Sequence, residues 1–429
     1  RPTIAASTSS RCGCRMRRDA RLRVAFLLIS LLFADFASAQ QATWTPGQPG
    51  ESLEIALVTV GPGQVYWERF GHNALVFRDP LSGRGTSYNY GMFDFEEADF
   101  MLNFALGRMQ YQIAAEDADE EIAWYRSEGR SILEQELNLD ASQVLALKAY
   151  LETNLLPENR RYPYDYFTSN CSTRIRDALD KVLGGALRKQ LTSPSRGLTY
   201  RLLADALMSP DAALMLGIDL GLGPYSDQRL SFWQDSFVPM QLMQHLSDVR
   251  IDDASGASVA LVRDERVLAQ SRWPDPPFLP PDLRWPFFAI GIVFGGLALF
   301  LRQRSARAWA RRSLATLGAG FSLFTGLAGL VMLGLWLFTA HQSAWANENL
   351  LIMNPLALLL VPAWCGSARS HWSAGRFSRG LLVAIALLAG FALFSKILTS
   401  FEQANLAWIL LTLPIHLALA HCASSRQAR

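Results

Sequence analysis

Cysteine and histidine are scarce in this chain of 429 residues, which has five cysteines and six histidines. Two cysteines precede the first apolar run and two lie in the membrane part after residue 285, so Cys171 is the only one in the globular part of the sequence. The histidines are scattered, without the spacing of metal ligands. The formal net charge is +2, and no basic stripe with interleaved aromatic residues is present outside the loops between apolar runs. These absences exclude a disulfide framework, and they predict no metal, no other cofactor and no nucleic-acid partner.

Long apolar runs are abundant instead. Hydrophobic residues make up 50% of the chain and concentrate after Trp285, a distribution too apolar for a single soluble domain. Five runs are predicted to span a membrane, and they lie at residues 285–301, 314–338, 350–364, 381–398 and 406–420. We therefore expect an all-α bundle of about five transmembrane helices over residues 285–422, followed by a cytoplasmic tail over residues 423–429.

The beginning of the chain is typical of a secretory signal. Arginines precede a short apolar run at 24–33, and the small residues at 37–39 fit the rule for signal-peptide cleavage. We predict that residues 1–39 are a signal peptide with an upstream extension, and the alternative is an uncleaved anchor. The domain at 40–272 is then exported, and a proline-rich spacer at 273–284 joins it to the membrane part.

Charges in the loops between the apolar runs predict the orientation. The loop at 302–312 carries five arginines and the loop at 367–380 carries three. The loops at 339–349 and 399–405 carry neither lysine nor arginine. Because positively charged loops remain in the cytoplasm, the two uncharged-to-acidic loops lie on the same side as the exported domain.

The exported domain has the pattern of an α+β fold. Strands are predicted at residues 52–60, 73–79, 86–95 and 131–139, and a terminal hairpin is predicted at 257–272. Helices are predicted after the acidic segment that follows the third strand, after Asp140, and onward to Leu222. An apolar helix at 212–223 is either a core helix or a segment at the membrane surface.

Cys171 is predicted to lie in the first turn of an amphipathic helix. Asn170 or Ser169 is a good N-cap, and apolar residues recur after Cys171 at helical spacing. The free N–H groups and the positive dipole end of a helix favour a thiolate, and Arg174 adds positive potential. The alternative is a small buried residue at a helix start. In an exported domain, an isolated cysteine at this position indicates a nucleophile.

A thiol nucleophile needs a base, and the exported domain offers His72 and His245. His245 lies on an amphipathic helix and is expected to be structural. His72 is at the edge of a predicted strand, and a histidine there with Cys171 at a helix start is the arrangement of papain-like thiol enzymes. Asn89 and Asp94 are both candidates to orient the imidazole.

Four segments of the sequence, taken together, carry a resemblance to a known family. They are FGHNALVFRDP at 70–80, YNYGMFDF at 88–95, NCSTRIRD at 170–177 and HQSAWANENLLIMNPL at 341–356. In this order they resemble the Lnb-type bacterial lipoprotein N-acyltransferases, and the resemblance runs from about Leu53 to the last apolar run. The arrangement is also similar to the permuted NlpC-like thiol enzymes. The resemblance implies a papain-like α+β exported domain, followed by the membrane bundle.

The resemblance also implies roles for individual residues. Cys171 and His72 would be the catalytic pair. Asn89 is expected as the third catalytic residue from its position on the next strand and not from the resemblance. A motif around His341, Asn347 and Asn349 would form a second part of the site at the membrane surface. The full set of expected substrate-binding or supporting residues is Tyr88, Asp94, Asn170, Arg174, His341, Asn347 and Asn349.

The expected function is acyl transfer in the bacterial inner membrane, with the catalytic domain in the periplasm. The donor would be a phospholipid, the acyl group would pass through a cysteine thioester, and the acceptor would be the N-terminal amine of a diacylglyceryl lipoprotein. Two alternatives are an NlpC-type cell-wall amidase or peptidase and a non-catalytic, membrane-anchored binding module. The membrane spans favour a lipid substrate over the first, and the presence of both Cys171 and His72 argues against the second.

Overall fold

The computed structural model of the protein describes residues 53–424 with the exception of residues 95, 97, 254, 371 and 372. The predicted signal peptide and most of the predicted cytoplasmic tail lie outside the described residues. The described chain begins with an α+β part and continues into a helical part.

A seven-stranded antiparallel sheet is the centre of the α+β part, with strand order β6-β4-β3-β2-β1-β5-β9. Its strands are β1 (Glu54–Val60), β2 (His72–Arg78), β3 (Gly85–Met92), β4 (Gln110–Asp117), β5 (Ile132–Leu137), β6 (Arg161–Pro163) and β9 (Val262–Ala269). The four strands expected from alternating polarity are confirmed as β1, β2, β3 and β5. The strand β4 was not expected, because its second half, AAED, does not continue the alternation of polar and apolar residues.

The predicted terminal hairpin is wrong. The strands β8 (Ser258–Ala260) and β9 follow one another directly, but β8 pairs with β7 (Arg250–Asp252) and β9 pairs with β5. The residue between them, Leu261, is fully buried and its amide donates to the carbonyl of Val249. Because no turn residue separates the two strands, the chain passes from one sheet to the other instead of reversing.

Nine α-helices accompany the sheet within the described part of residues 53–272. They are α1 (Phe100–Ala105), α2 (Ala118–Ser127), α3 (Ala141–Leu155), α4 (Cys171–Val182), α5 (Ala186–Leu191), α6 (Tyr200–Met208), α7 (Ala212–Gly221), α8 (Phe232–Asp235) and α9 (Pro239–Asp248). The helix expected after Asp140 is confirmed as α3, which starts with a capping box and buries Val144, Leu147 and Leu151 on one face.

The two faces of the sheet are covered differently. One face packs against α3, α4 and α9 in the largest hydrophobic core, which includes Leu75, Leu147 and Ile175. The other face is covered by α2 in a smaller core with Val60 and Tyr125. Period-two alternation therefore decides which side chains of a strand meet α4 and which meet α2.

The helical part contains four helices long and apolar enough to cross a membrane. They are α10 (Arg284–Gln303), α11 (Ala308–Phe338), α13 (Arg376–Ser395) and α14 (Leu406–Ser424). The third expected span is instead a pair of helical segments bent by 45°, so the described residues give four spans, or five if the bent pair is one. Pro355 at the start of the second segment explains the break, since proline cannot continue the hydrogen-bond ladder of a preceding helix.

The bent segment packs closely on α11. A Cβ atom added to Gly329 would lie 2.0 Å from the carbonyl oxygen of Met353, and one added to Gly318 would lie 2.4 Å from the ring of Trp364. Glycine at these two positions lets the segment ending in α12 (Val361–Ser367) approach the helix backbone, as small residues do in membrane bundles.

The apolar helix at 212–223 is α7, and it docks on the bundle. Its Leu216 and Leu220 pack against a core of the helical part that includes Phe287 and Trp408. The indole nitrogen of Trp408 also donates to a carboxylate oxygen of Asp219, at 2.8 Å. Of the two possibilities for this helix, the structure shows a packed helix between the sheet domain and the membrane helices.

Candidate active site

Cys171 is the first residue of α4, as expected. The N-cap is Asn170, whose side-chain oxygen accepts from the amide of Thr173 at 2.9 Å. The side-chain nitrogen of Asn170 donates to the carbonyls of Phe237 and Tyr166, at 2.9 and 3.0 Å. Asn170 is buried, and the oxygen and nitrogen of its side chain together hold the start of α4 in place. Asn170 is therefore a positioning residue for the adjacent Cys171, whose thiol is half-buried.

His72 is the first residue of β2 and contacts the thiol. Their side chains share a hydrogen bond, so the helix start and the strand start meet at one end of the sheet. The second ring contact of His72 is with Asn89 on β3, whose Oδ1 lies 2.8 Å from Nε2. The structure thus brings together the three residues expected to be catalytic.

The strand register explains why Asn89 can reach the imidazole. Leu75 of β2 pairs with Tyr88 of β3, so these two side chains share one face of the sheet. His72 and Asn89 are both displaced by an odd number of residues, and they share the other face. Tyr88 accordingly points away from the site, where it is buried against Phe77 with ring centroids 5.4 Å apart. Tyr88 was expected to support the site, but in this position its side chain does not contact the site.

Asp94, the other candidate to orient the imidazole, is exposed. Its carboxylate accepts from the amide of Glu96 at 2.8 Å, which is a local turn contact. The geometry therefore favours Asn89 over Asp94 as the group that orients His72.

Glu121 is a site residue that the sequence analysis missed. It lies on α2, and its Oε2 accepts from the side-chain nitrogen of Asn89 at 3.1 Å. A carboxylate only accepts, so the Asn89 nitrogen faces Glu121 and the Asn89 oxygen faces His72. The imidazole Nε2 then donates to Asn89, which leaves Nδ1 for the thiol. An acidic residue in the first turn of a helix looks ordinary in sequence, because the helix dipole favours it there.

The electrostatics of the pair favour the charged forms of both groups. Burial by itself would raise the pKa of Cys171, but the charge and hydrogen bond of His72 and the N–H groups of Asn73 and Ser172 lower it below 9.0. Burial by itself would lower the pKa of His72, but Cys171, Glu121 and the hydrogen bond to Asn89 raise it above 6.5. A thiolate beside an imidazolium is the reactive state of a cysteine nucleophile.

Arg174 is engaged one turn along α4 from the thiol. Its guanidinium lies over the ring of Tyr162, 4.2 Å from the centroid, and its Nε donates to Ser169 at 3.2 Å. Burial raises the pKa of Cys171. The contacts that lower this pKa come from His72 and from backbone amides. The structure therefore shows Arg174 as a stacked residue beside the helix start.

His341 lies between α11 and the bent pair of helical segments, whereas Asn347 and Asn349 lie in the first segment of that pair, at residues 342–351. The three residues divide into two groups. The imidazole Nε2 of His341 lies 3.0 Å from the carbonyl oxygen of Phe104, and the ring stacks on Tyr166 with centroids 6.0 Å apart. His341 thus lies between the membrane part and the rim of the α+β part.

Asn347 and Asn349 instead bind the end of α7. Asn347 donates to the carbonyls of Leu220 and Gly221 at 3.0 Å, and Asn349 donates to Leu220 at 3.1 Å. The last carbonyls of a helix have no partner within the helix, and these two buried amides supply one. Their hydrogen bonds give them a docking role, which differs from the expected role in a second part of the site.

The other histidine of the α+β part is structural, as expected. Nε2 of His245 lies 2.6 Å from a carboxylate oxygen of Asp235 inside the protein, and the ring packs on Phe232. This leaves His72 as the histidine that faces the thiol.

The structure is an α+β domain joined to a bundle of apolar helices, and the α+β domain brings together a cysteine at a helix start, a histidine at a strand start and an asparagine behind it. Two family models match the chain: the Lnb N-terminal periplasmic domain at residues 40–206 and the Lnb transmembrane domain at residues 283–428. Together they cover most of the sequence, and the chain belongs to the Lnb family, which confirms the resemblance. No curated protein and no solved structure matches it.

Membership of this family also confirms the location. The chain is a multi-pass protein of the inner membrane with a periplasmic domain, and it is of the lipoprotein-modifying Lnb type.

Proposed function

We propose that this protein moves a fatty acyl group from a phospholipid, through a thioester on Cys171, to the N-terminal amine of a diacylglyceryl lipoprotein. The observation that carries the proposal is the contact between the Cys171 thiol and His72, backed by Asn89. This pair belongs to a domain that is docked on membrane helices through α7, which supports a lipid substrate over a cell-wall peptide.

In the first half of the reaction, the thiolate of Cys171 attacks the carbonyl carbon of a phospholipid ester. A C–S bond forms and the ester C–O bond breaks. The imidazolium of His72 gives its proton to the departing oxygen, which leaves as the hydroxyl of a lysophospholipid. Backbone N–H groups at the start of α4 stabilise the negative oxygen of the tetrahedral intermediate.

In the second half, the lipoprotein amine attacks the thioester carbonyl. A C–N bond forms, the C–S bond breaks, and the neutral imidazole of His72 takes the proton of the amine. The products are an amide and the original thiolate–imidazolium pair. The amide is more stable than the thioester, so no nucleotide or other activating group is needed.

The test is to trap the thioester. Purified protein in vesicles with a radiolabelled phospholipid is expected to acquire a label that hydroxylamine removes, and Cys171→Ser is expected to acquire none. Cys365→Ser is the matched control, because it removes an exposed cysteine of the helical part and leaves the site intact. Normal lipoprotein N-acylation in cells whose only copy carries Cys171→Ser would refute the proposal.

A further inference from the structure

Large apolar side chains are exposed on two neighbouring segments of the periplasmic domain. On the short helix α1, Met101 and Leu102 are 69% and 56% exposed. On the loop before β2, Tyr66 and Trp67 are 48% and 45% exposed. Residues 100–106 have the sequence FMLNFAL and carry no charge. An exposed apolar surface of this kind indicates an apolar partner.

Helix α1 is bound to the outer end of a membrane helix. The amide of Ala340 donates to the carbonyl of Leu106 at 2.8 Å, and the ring of His341 bonds to the carbonyl of Phe104. Ala340 follows the last residue of α11, Phe338, by only two positions. These contacts place α1 at the level where a spanning helix leaves the bilayer, and its exposed side chains therefore lie at the membrane surface.

A row of aromatic rings leads from α1 into the domain. Phe100 stacks on Phe93, with ring centroids 5.9 Å apart, and Phe93 packs on Tyr111 at 5.1 Å. Trp67 also packs edge-on against Phe93, with ring centroids 6.3 Å apart. The two exposed segments thus meet over Phe93.

The row of rings ends beside the thiol. Phe93 follows Gly91 by two residues, and Gly91 lies against the start of α4. A Cβ atom added to Gly91 would lie 3.4 Å from Cβ of Cys171 and 3.7 Å from its backbone nitrogen. Phe93, Phe100 and Cys171 also pack against the same hydrophobic core, so apolar contacts link α1 to the surroundings of the nucleophile.

We propose that α1 and the loop at 65–67 form the entry for a fatty acyl chain of a bilayer lipid. Met101 and Leu102 enter the outer leaflet, and the acyl chain lies along Trp67, Phe93 and Phe100 with its carbonyl group at Cys171. The role of the entry in acyl transfer rests on the proposed function, but the contact between α1 and lipid does not.

The contact with lipid is tested by photo-crosslinking. A benzophenone side chain is placed at position 101 of the full chain in vesicles that contain a phospholipid with a labelled acyl chain. We expect lipid to be captured at position 101 and not at position 81, where Leu81 is 68% exposed in the turn between β2 and β3. Equal capture at both positions, or none at position 101, would overturn the inference, whatever the protein's reaction.

The use of the entry is tested by the double variant Met101→Asp/Leu102→Asp, with Leu81→Asp as the control. Thioester formation from vesicle phospholipid is expected to fall about tenfold or more, because two apolar contacts with hydrocarbon are replaced by charges. Acylation by a water-soluble short-chain nitrophenyl ester is expected to be unchanged, which also shows that the variant is folded. Full activity of the double variant on vesicles would overturn the inference. A wild-type protein that reacts with neither donor would instead overturn the proposed function.

Discussion

Replacement of Glu121 separates two effects that the carboxylate has on the site. Glu121→Ala removes both the acceptor for Asn89 and a negative charge near His72, whereas Glu121→Gln removes only the charge. A hydrogen bond to a charged group contributes about 1.5 to 3 kcal/mol. If that energy holds Asn89 and the imidazole in place in the transition state, Glu121→Ala reduces the rate of thioester formation about 10- to 100-fold. Glu121→Gln is expected to stay within about fivefold of the wild type, because the amide oxygen still accepts.

The pH dependence gives a second readout of the same residue. Glu121 raises the pKa of His72, so the imidazolium that protonates the leaving group persists to higher pH. Without the negative charge, the alkaline limb of the rate profile is expected to move to lower pH in both variants. The assay is thioester formation from labelled phospholipid across a pH series, with thermal unfolding measured beside it.

Glu120→Ala is the matched control, since Glu120 lies in the same helical turn and is exposed. Wild-type rates and an unmoved alkaline limb in Glu121→Ala would refute the reasoning about Glu121. So would equal losses in Glu120→Ala and Glu121→Ala, because the effect would then belong to the helix and not to the contact with Asn89.

Three further predictions follow from individual contacts. His72→Gln removes the largest influence that lowers the pKa of Cys171, so the midpoint of thiol alkylation is expected to move to higher pH; an unchanged midpoint contradicts the ion pair. The double variant Asn347→Leu/Asn349→Leu leaves the carbonyls of Leu220 and Gly221 without these amide donors and should destabilise the protein by about 1 to 3 kcal/mol, seen as a lower unfolding temperature in detergent and faster proteolysis at 210–225; unchanged stability contradicts the docking role. Burial beside a second carboxylate raises the pKa of Asp205 to about 8, far above its unfolded value of 3.8, so the wild type should lose stability as the pH rises from about 4 to about 8, and Asp205→Asn should lose much less; parallel pH curves contradict this.

The pairing of Cys171 with His72 could be predicted because the scarcity of these residue types and the local sequence pattern both favour it. Cys171 stands alone in the exported domain, and its helix start is encoded by Asn170 and the apolar spacing after it. His72 stands at the start of a strand whose alternation is clear. Each of these signals is contained in a stretch of about ten residues, and such local patterns are the most reliable part of sequence interpretation.

The remaining site residues depend on long-range packing, which no local pattern contains. The choice between Asn89 and Asp94 is decided by the pairing of Leu75 with Tyr88, since that register puts Asn89 on the face of His72. Glu121 joins the site only because α2 folds across that face. The same register places Tyr88 on the opposite face, although it is adjacent to Asn89 in sequence.

Asn347 and Asn349 show a second way in which local sequence is insufficient: it can suggest a role in the site for residues whose contacts lie elsewhere. Asn347 and Asn349 stand in a segment that resembles the family and lies near the membrane surface, and this suggested a part in the site. Their partners are carbonyls of α7, more than a hundred residues earlier in the chain. The hydrogen-bond donors that an exposed helix end needs can come from any part of the fold, so a conspicuous asparagine in sequence does not reveal whether it binds substrate or protein.

The docking of α7 has a consequence for the order of biogenesis. The carbonyls of Leu220 and Leu222 accept from Asn347 and Gln403, residues that leave the ribosome long after the periplasmic domain has been synthesised. Until the last membrane helices have been inserted, the end of α7 lacks these partners and Leu216 and Leu220 lack their packing surface. The periplasmic domain therefore reaches its finished state only after the bundle has assembled, and a fragment released without the bundle would be an incomplete version of it.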